Sequence, residues 1–300
     1  IFKNIGANGL TVGFSTVFQF ISVPIFVTYW GVDLYSDWLV LSSLTAYFMM
    51  TDIGLNSVTM NEIGISYGRN QKHRCNVLFN NNLFFIIVVF ISVLSIILCL
   101  FSFVNISNLL MLESVSNFSS KLIIICLLTQ AFTGMTSGLY DSIYRATDRT
   151  AKGIMINNYV RFTESILLIL GVLVELNLSI IIVIYIIPRF IGLFFKIIQT
   201  KKYFNLKISS TFFNVIEFKK IIIPAFSFLA FPIGNSIILQ GFILLINFTL
   251  GNLSLVIYNT TRTLTNIVKL CVGILNNSVW PELTLLYGKS DWNSLKKLLR

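Results

Sequence analysis

Asn259, Arg262, Asn266, Lys269, Gly273 and Asn276 follow one another at intervals of 3, 4, 3, 4 and 3 residues, which sets them on one stripe of a helix. The segment around them is otherwise apolar enough to cross a bilayer. A basic side chain at mid-bilayer costs roughly 2.5–3.5 kcal/mol even on a lenient insertion scale. Two on one stripe therefore imply a wet or anion-binding cavity rather than lipid contact. A guanidinium offers paired donors to a pyrophosphate, so Arg262 and Lys269, with Asn259 and Asn266 beside them, are candidates for holding a phosphorylated substrate. An inter-helix ion pair with Asp52 or Asp141 is the competing use of the same charges.

Further charges lie within apolar stretches. Arg161 has Glu164 three residues on, a spacing that suits a local ion pair. Arg189 follows Pro188 and has three uses open to it: pairing with a carboxylate, reaching back to the membrane surface, or contacting substrate. Asp52 and Asp141 are the intramembrane carboxylates. Each is a candidate for binding a coupling proton or sodium ion, or for partnering Arg262 or Lys269. Polar stripes add to this set: Asn8, Thr11, Ser15, Gln19 and Ser22; then Ser42, Thr45, Asp52, Asn56 and Thr59; then Gln130, Thr133, Ser137, Asp141 and Tyr144. Singly such stripes serve helix packing; together they suit a shared water-filled cavity.

No catalytic constellation accompanies them. There is no P-loop, no G-x-S-x-G and no dinucleotide fingerprint, and neither a cofactor nor a metal is implied. Cys75, Cys99, Cys126 and Cys271 stand apart without metal-ligand spacing. His73, the one histidine, sits in a basic loop. Asp33, Asp37, Glu62, Glu175 and Glu282 lie near the ends of apolar segments, where water is the expected neighbour.

The elements that position these residues are long apolar helices. Apolar residues make up 55% of the chain and charged ones 11%, too few to solvate a soluble surface of 300 residues. About 20 helical residues cross a ~30 Å hydrocarbon core. Eight segments qualify, near 7–29, 36–60, 79–104, 120–144, 154–174, 178–198, 222–249 and 254–280, giving an all-α polytopic membrane protein. Lys and Arg cluster in alternate links, around 69–74, 145–152, 196–220 and 289–300. The net charge of +10 is thus a topology signal rather than a nucleic-acid footprint, and the positive-inside rule sets both ends of the chain in the cytoplasm. The link at 199–220 mixes Phe, Leu and Ile with lysines, as an amphipathic piece on the inner membrane surface would. It divides residues 1–198, six spans, from 221–300, two spans and a basic tail. The chain begins with Ile1 and carries no cleavable signal pattern, as a trimmed chain or a fragment would.

A shift of 220 residues sets Gly31 on Gly251, Leu44 on Leu264, Thr45 on Thr265, Asn56 on Asn276 and Glu62 on Glu282, and Tyr67-Gly68-Arg69 falls on Tyr287-Gly288-Lys289. A repeat of six spans keeps orientation, so the halves would be parallel copies around an axis along the membrane normal, one complete six-helix lobe and the first two helices of a second. With Asp52-Ile53-Gly54-Leu55 in the second span and those paired helix exits, the chain resembles bacterial polysaccharide flippases. These form the O-antigen (Wzx-like) branch of the MOP superfamily, which also holds lipid II flippases and MATE drug exporters. Members have twelve or more spans, so several C-terminal helices expected from the resemblance lie outside these eight. The resemblance implies a non-enzymatic flippase in the bacterial inner membrane, moving polyprenyl-pyrophosphate-linked oligosaccharide by alternating access. Its partners would be that lipid-linked oligosaccharide, membrane lipid, and a polysaccharide polymerase and chain-length regulator. A MATE-like antiporter for cationic drugs is the alternative, against which the basic stripe weighs. A polymerase or ligase would need a large outer loop with catalytic side chains, and the 105–119 loop offers only Glu113.

Overall fold

A computed structural model describes residues 2–288 except 53 and 205; the side chains at 2, 5, 210, 227–232, 264, 266–279, 281, 282, 285 and 288 lie outside that description. All the described regular structure is helical: α1 (Phe2–Met50), α2 (Leu55–Gly68), α3 (Lys72–Phe103), a short α4 (Ile106–Leu109), α5 (Asn117–Ala146), α6 (Thr150–Leu173), α7 (Leu178–Phe204) and α8 (Val215–Gly288), with one 3₁₀ turn at Ser210–Phe212. Among the described residues six helices are long and apolar enough to cross a membrane.

Two of the eight expected spans share α1 and two share α8, because each of these helices reverses at a glycine. Gly31 has φ 73 and ψ −179, and Gly251 has φ 79 and ψ −180. That region of backbone space is essentially open to glycine alone. The reversal is visible in the side chains: the rings of Phe26 and Tyr35 are 5.5 Å apart, whereas nine residues of continuous helix would separate them by roughly 13 Å. Phe242 and Tyr258, sixteen residues apart, stand 6.2 Å from each other across Gly251. Gly54, also left-handed at φ 68, breaks the second crossing between α1 and α2. The eight expected spans thus fall on the halves of α1 (the second continued by α2), on α3, α5, α6 and α7, and on the halves of α8.

The two glycines are 220 residues apart and share one backbone conformation. The contacts between the first and last thirds of the chain keep nearly the same separation. Ser36 donates to Asn252 Oδ1 at 3.0 Å, Asn252 Nδ2 to Asp33 at 3.2 Å, Asn259 Nδ2 to the Tyr35 hydroxyl at 3.3 Å, and Trp280 Nε1 to Asn61 at 3.1 Å. A residue touching its own counterpart is what an approximate two-fold axis produces.

Packing centres on α5. Ser116 caps it, accepting from the Ser119 amide at 3.3 Å. From there Ile123, Leu127, Leu128, Ala131, Met135 and Leu139 are buried in succession. One apolar cluster at the end away from the basic links joins Phe26, Tyr35, Val115, Leu127, Ile181 and Leu255; a second, at the basic end, joins Leu55, Ile63, Phe79, Leu139, Ile143 and Phe204. By contrast α3 exposes Ile87, Ile91, Ile96 and Leu100, the surface a bilayer would cover. Asp37, expected in water, is buried, and its carboxylate accepts from the amides of Glu113, Ser114 and Val115 at 3.2, 2.8 and 3.0 Å. It fixes the loop before α5. At the basic end, α7 continues to Phe204 and α8 starts at Val215. Between them Asn80 and Asn81 of α3 each hold the backbone of the link from both sides: Asn80 bonds Lys207 O (2.8 Å) and Ser209 N (3.0 Å), and Asn81 bonds Asn214 O (3.0 Å) and Asn214 N (2.9 Å).

Candidate functional site

The charged centre lies inside the bundle of α5, α6 and α7, and a residue outside the expected set organises it. Lys196, read from the sequence as part of a basic flank, is fully buried. Its ammonium donates to Asp141 Oδ1 at 2.5 Å, Ser137 Oγ at 2.8 Å and Asn157 Oδ1 at 2.8 Å, with the Ser137 carbonyl at 3.4 Å. Asp141 Oδ2 accepts from Asn157 Nδ2 at 2.9 Å, which closes a ring of four side chains. A buried charge persists only when it is paired and hydrogen-bonded, and here all three ammonium protons have acceptors.

A second pair sits beside it. Arg189 meets Glu164 bidentately, Nε to Oε1 at 2.7 Å and Nη2 to Oε2 at 2.9 Å, and its remaining nitrogen donates to the Gln130 carbonyl at 3.2 Å. Glu164 is buried. The Arg161–Glu164 pair suggested by sequence spacing does not form; both Glu164 oxygens are taken by the guanidinium fork that Arg189 brings from α7. Among the described residues Arg161 has no ion-pair or hydrogen-bond partner.

Glycines let the helices close on these groups. A Cβ on Gly153 would stand 2.9 Å from Asp141 Oδ1, and one on Gly192 only 2.3 Å from Val160 Cγ2. Between the pairs lies a cavity of about 250 Å³ lined by Met49, Ser137, Asp141, Asn157, Arg161 and Arg189, among others. That is about eight water volumes at ~30 Å³ each.

Other expected site residues lie elsewhere. Asp52 is outside this cavity; both its oxygens accept from the Asn56 amide at 3.2 Å, capping α2 after the break at Gly54. Asn259 is buried against Tyr35. Arg262 donates to the Leu239 carbonyl and lies 5.8 Å from the Tyr258 ring, a cation–π contact within the α8 hairpin. The side chains of Asn266 and Lys269 lie outside the described residues. Of the sequence-read stripes, that of α5 leads to the site: Gln130, Ser137 and Asp141 all contribute. Thr133 bonds its own helix and Tyr144 bonds Gln199. Thr11 instead packs α1 on α6 through Asn158 at 2.7 Å. Lys196 was legible in principle: Arg189, Gly192 or Leu193, and Lys196 recur at helical spacing and share a face of α7.

No family model matches the sequence, and no curated protein does. Solved structures do match the fold. The chain superposes on the MATE multidrug transporter DinF-BH, solved in complex with R6G, with a TM-score of 0.73 and 12% identity, over 98% of this chain and 66% of that one. It superposes on the Vibrio cholerae MATE transporter VcmN with a TM-score of 0.71 and 15% identity, over 100% of this chain and 68% of that one. The chain therefore spans about two thirds of the length of these transporters and has the corresponding part of their fold.

Proposed function

We propose that this chain is the core of a MATE-like exporter working by alternating access and driven by an ion gradient. The observation that carries the reading is the Asp141–Lys196 ring, set in a polar cavity of a membrane bundle that follows the MATE fold along its whole length. A buried ion pair contributes little net stability, so its presence in a membrane interior favours a functional role. Lys196 neutralises Asp141 in this arrangement; a proton or sodium ion taken up by Asp141 displaces that interaction and frees the ammonium. Such an exchange turns ion binding into a rearrangement of α5 against α7. The two copies related by the 220-residue shift are the proposed moving lobes, divided at 199–220, in a bacterial inner membrane with the basic links inside. R6G is the first probe, because a transporter of the same fold was solved with it. In proteoliposomes holding the full-length protein, R6G efflux should need an imposed proton or sodium gradient. Asp141→Asn should lower gradient-driven efflux to the protein-free background. Efflux at the wild-type rate in that variant would remove Asp141 from the mechanism.

A second reading keeps the polysaccharide flippase. It is favoured by basic side chains within the membrane-crossing helices: Arg161 and Arg262 have no carboxylate partner among the described residues. In that reading Arg262 and Lys269 hold the pyrophosphate of a lipid-linked oligosaccharide, with Asn259 and Asn266 near its sugars; Arg189 is already committed to Glu164. Deleting the gene should then leave single oligosaccharide units on the cytoplasmic leaflet, and the double variant Arg262→Ala/Lys269→Ala should fail to restore their export.

A further inference from the structure

The polar cavity has a neighbour. On the outer side of the seam between α6 and α7 runs an apolar groove of about 420 Å³, lined by Ile156, Tyr159, Thr163, Leu167, Ile187 and Phe195, among others. Tyr159 and Ile191 on its rim are 66% and 63% exposed, so in a membrane the groove opens to lipid. Val160 and Gly192 line both spaces. At this point the wall between a charged cavity and the bilayer is one valine side chain resting on a bare glycine. Pro188 lies four residues before Gly192 and cannot donate to the Ile184 carbonyl, which leaves α7 short of one helix hydrogen bond beside the thin wall.

The charges choose the occupant. Around the cavity Asp141 offsets Lys196 and Glu164 offsets Arg189, so Arg161 is left as one uncompensated positive charge. Arg161 stands near the midpoint of α6, and helical side chains lean toward the N-terminus of their helix, here the basic end. We propose that the α6–α7 seam binds an anionic phospholipid from the leaflet at the basic end. Its phosphate meets Arg161, which is exposed as well as lining the cavity, and one acyl chain lies in the groove along the outer side of Val160, Gly192 and Pro188. The site borders the cavity that holds Asp141, but its test reads retained lipid and not efflux, so its failure is distinguishable from failure of ion-coupled export.

Native mass spectrometry of the full-length protein, released from nanodiscs of equal phosphatidylglycerol and phosphatidylcholine, tests it. The protein should retain phosphatidylglycerol over phosphatidylcholine by roughly tenfold, because both carry the phosphate but the choline ammonium cancels the headgroup charge that Arg161 would meet. Arg161→Gln should bring that ratio close to one. Ile191→Trp, which fills the groove from its exposed rim and leaves the wall intact, should lower retention of the phosphatidylglycerol. Equal retention of the two lipids by the wild type overturns the proposal, as does an undiminished preference in Arg161→Gln or undiminished retention in Ile191→Trp.

Discussion

Lys196 and Asp141 are worth more together than the sum of what each does alone. Removing one partner of a buried pair leaves an uncompensated charge and costs on the order of 3–5 kcal/mol, whereas replacing both by apolar groups is often neutral. Lys196→Met should therefore lower the thermal midpoint by several degrees, and the double variant Lys196→Met/Asp141→Leu should recover most of that loss while remaining inactive in R6G efflux. A double variant no more stable than the single one would mean that the ring, through Ser137 and Asn157, does not act as a pair. Gly153 makes a sharper steric demand. Its Cβ position is 2.9 Å from Asp141 Oδ1 and 3.3 Å from Tyr144, so Gly153→Ala must displace the Asp141 carboxylate from its place in the ring or draw α6 back from Tyr144. A cost of about 1–3 kcal/mol is expected for such overpacking, read as a fall in thermal midpoint. At this scale the sequence was partly legible. Asp141 and Arg189 could be picked out because charge in an apolar run is conspicuous. Their partners were harder to read: Glu164 lies equally well placed for Arg161 until the third helix is present, and Lys196, although it shares the helical face of Arg189, is close enough to a helix end to pass for a surface lysine.

Hydropathy is legible at the scale of the element because a bilayer imposes length, and the eight expected spans fall on helices, the second with a break between Met50 of α1 and Leu55 of α2. The reversals inside α1 and α8 are a different matter. Their positions were legible, because the expected spans stop at 29 and 249 and restart at 36 and 254; what was not legible is that each turn is a single glycine with helix on both sides instead of a loop, which only the backbone conformation reveals. That conformation gives a paired prediction. With φ near +73 and +79 and ψ near 180°, an added Cβ is strained even though nothing crowds it within 4 Å. Gly31→Ala and Gly251→Ala should each cost roughly 1–3 kcal/mol, and by similar amounts, in thermal unfolding in detergent. Gly13→Ala, in an open stretch of ordinary helix, is the control and should be neutral or slightly stabilising. Unequal losses at the two reversals would argue against the repeat, whose sequence identities alone are sparse.

Over the whole molecule, alternating access needs contacts at one face that can be released, and the basic end has a charge cluster suited to that. Arg74, at the start of α3, bonds Glu62 of α2 at 3.0 Å and Glu217 of α8 at 3.3 Å, and Lys220 bonds Glu217 at 2.6 Å. The cluster ties α2, α3 and the start of α8 together just past the strap held by Asn80 and Asn81. None of this was legible in sequence, because Glu62 and Arg74 lie twelve residues apart in one link, Glu217 lies in another, and each alone reads as a solvated surface charge. The Lys220 ammonium, and after it Arg74, hold the Glu217 carboxyl below the usual carboxylate range against a smaller opposing effect of burial. A carboxyl depressed in the folded state contributes stability above its unfolded value, ~4.3, and loses it as pH falls through the lower folded value. Hydrogen-exchange protection of residues 206–220, taken relative to the intrinsic rate at each pH, should therefore be higher at neutral pH and fall in acid below about pH 4.3. Glu217→Gln should give the faster exchange already at neutral pH and flatten the acid dependence. Partial exposure of these side chains keeps the effect to a few tenths of a kcal/mol per contact, so it appears in local exchange and not in the global midpoint. Should exchange at 206–220 stay slow in Glu217→Gln, the asparagine strap alone holds the link, and release at this face must come from breaking Asn80 and Asn81 contacts instead.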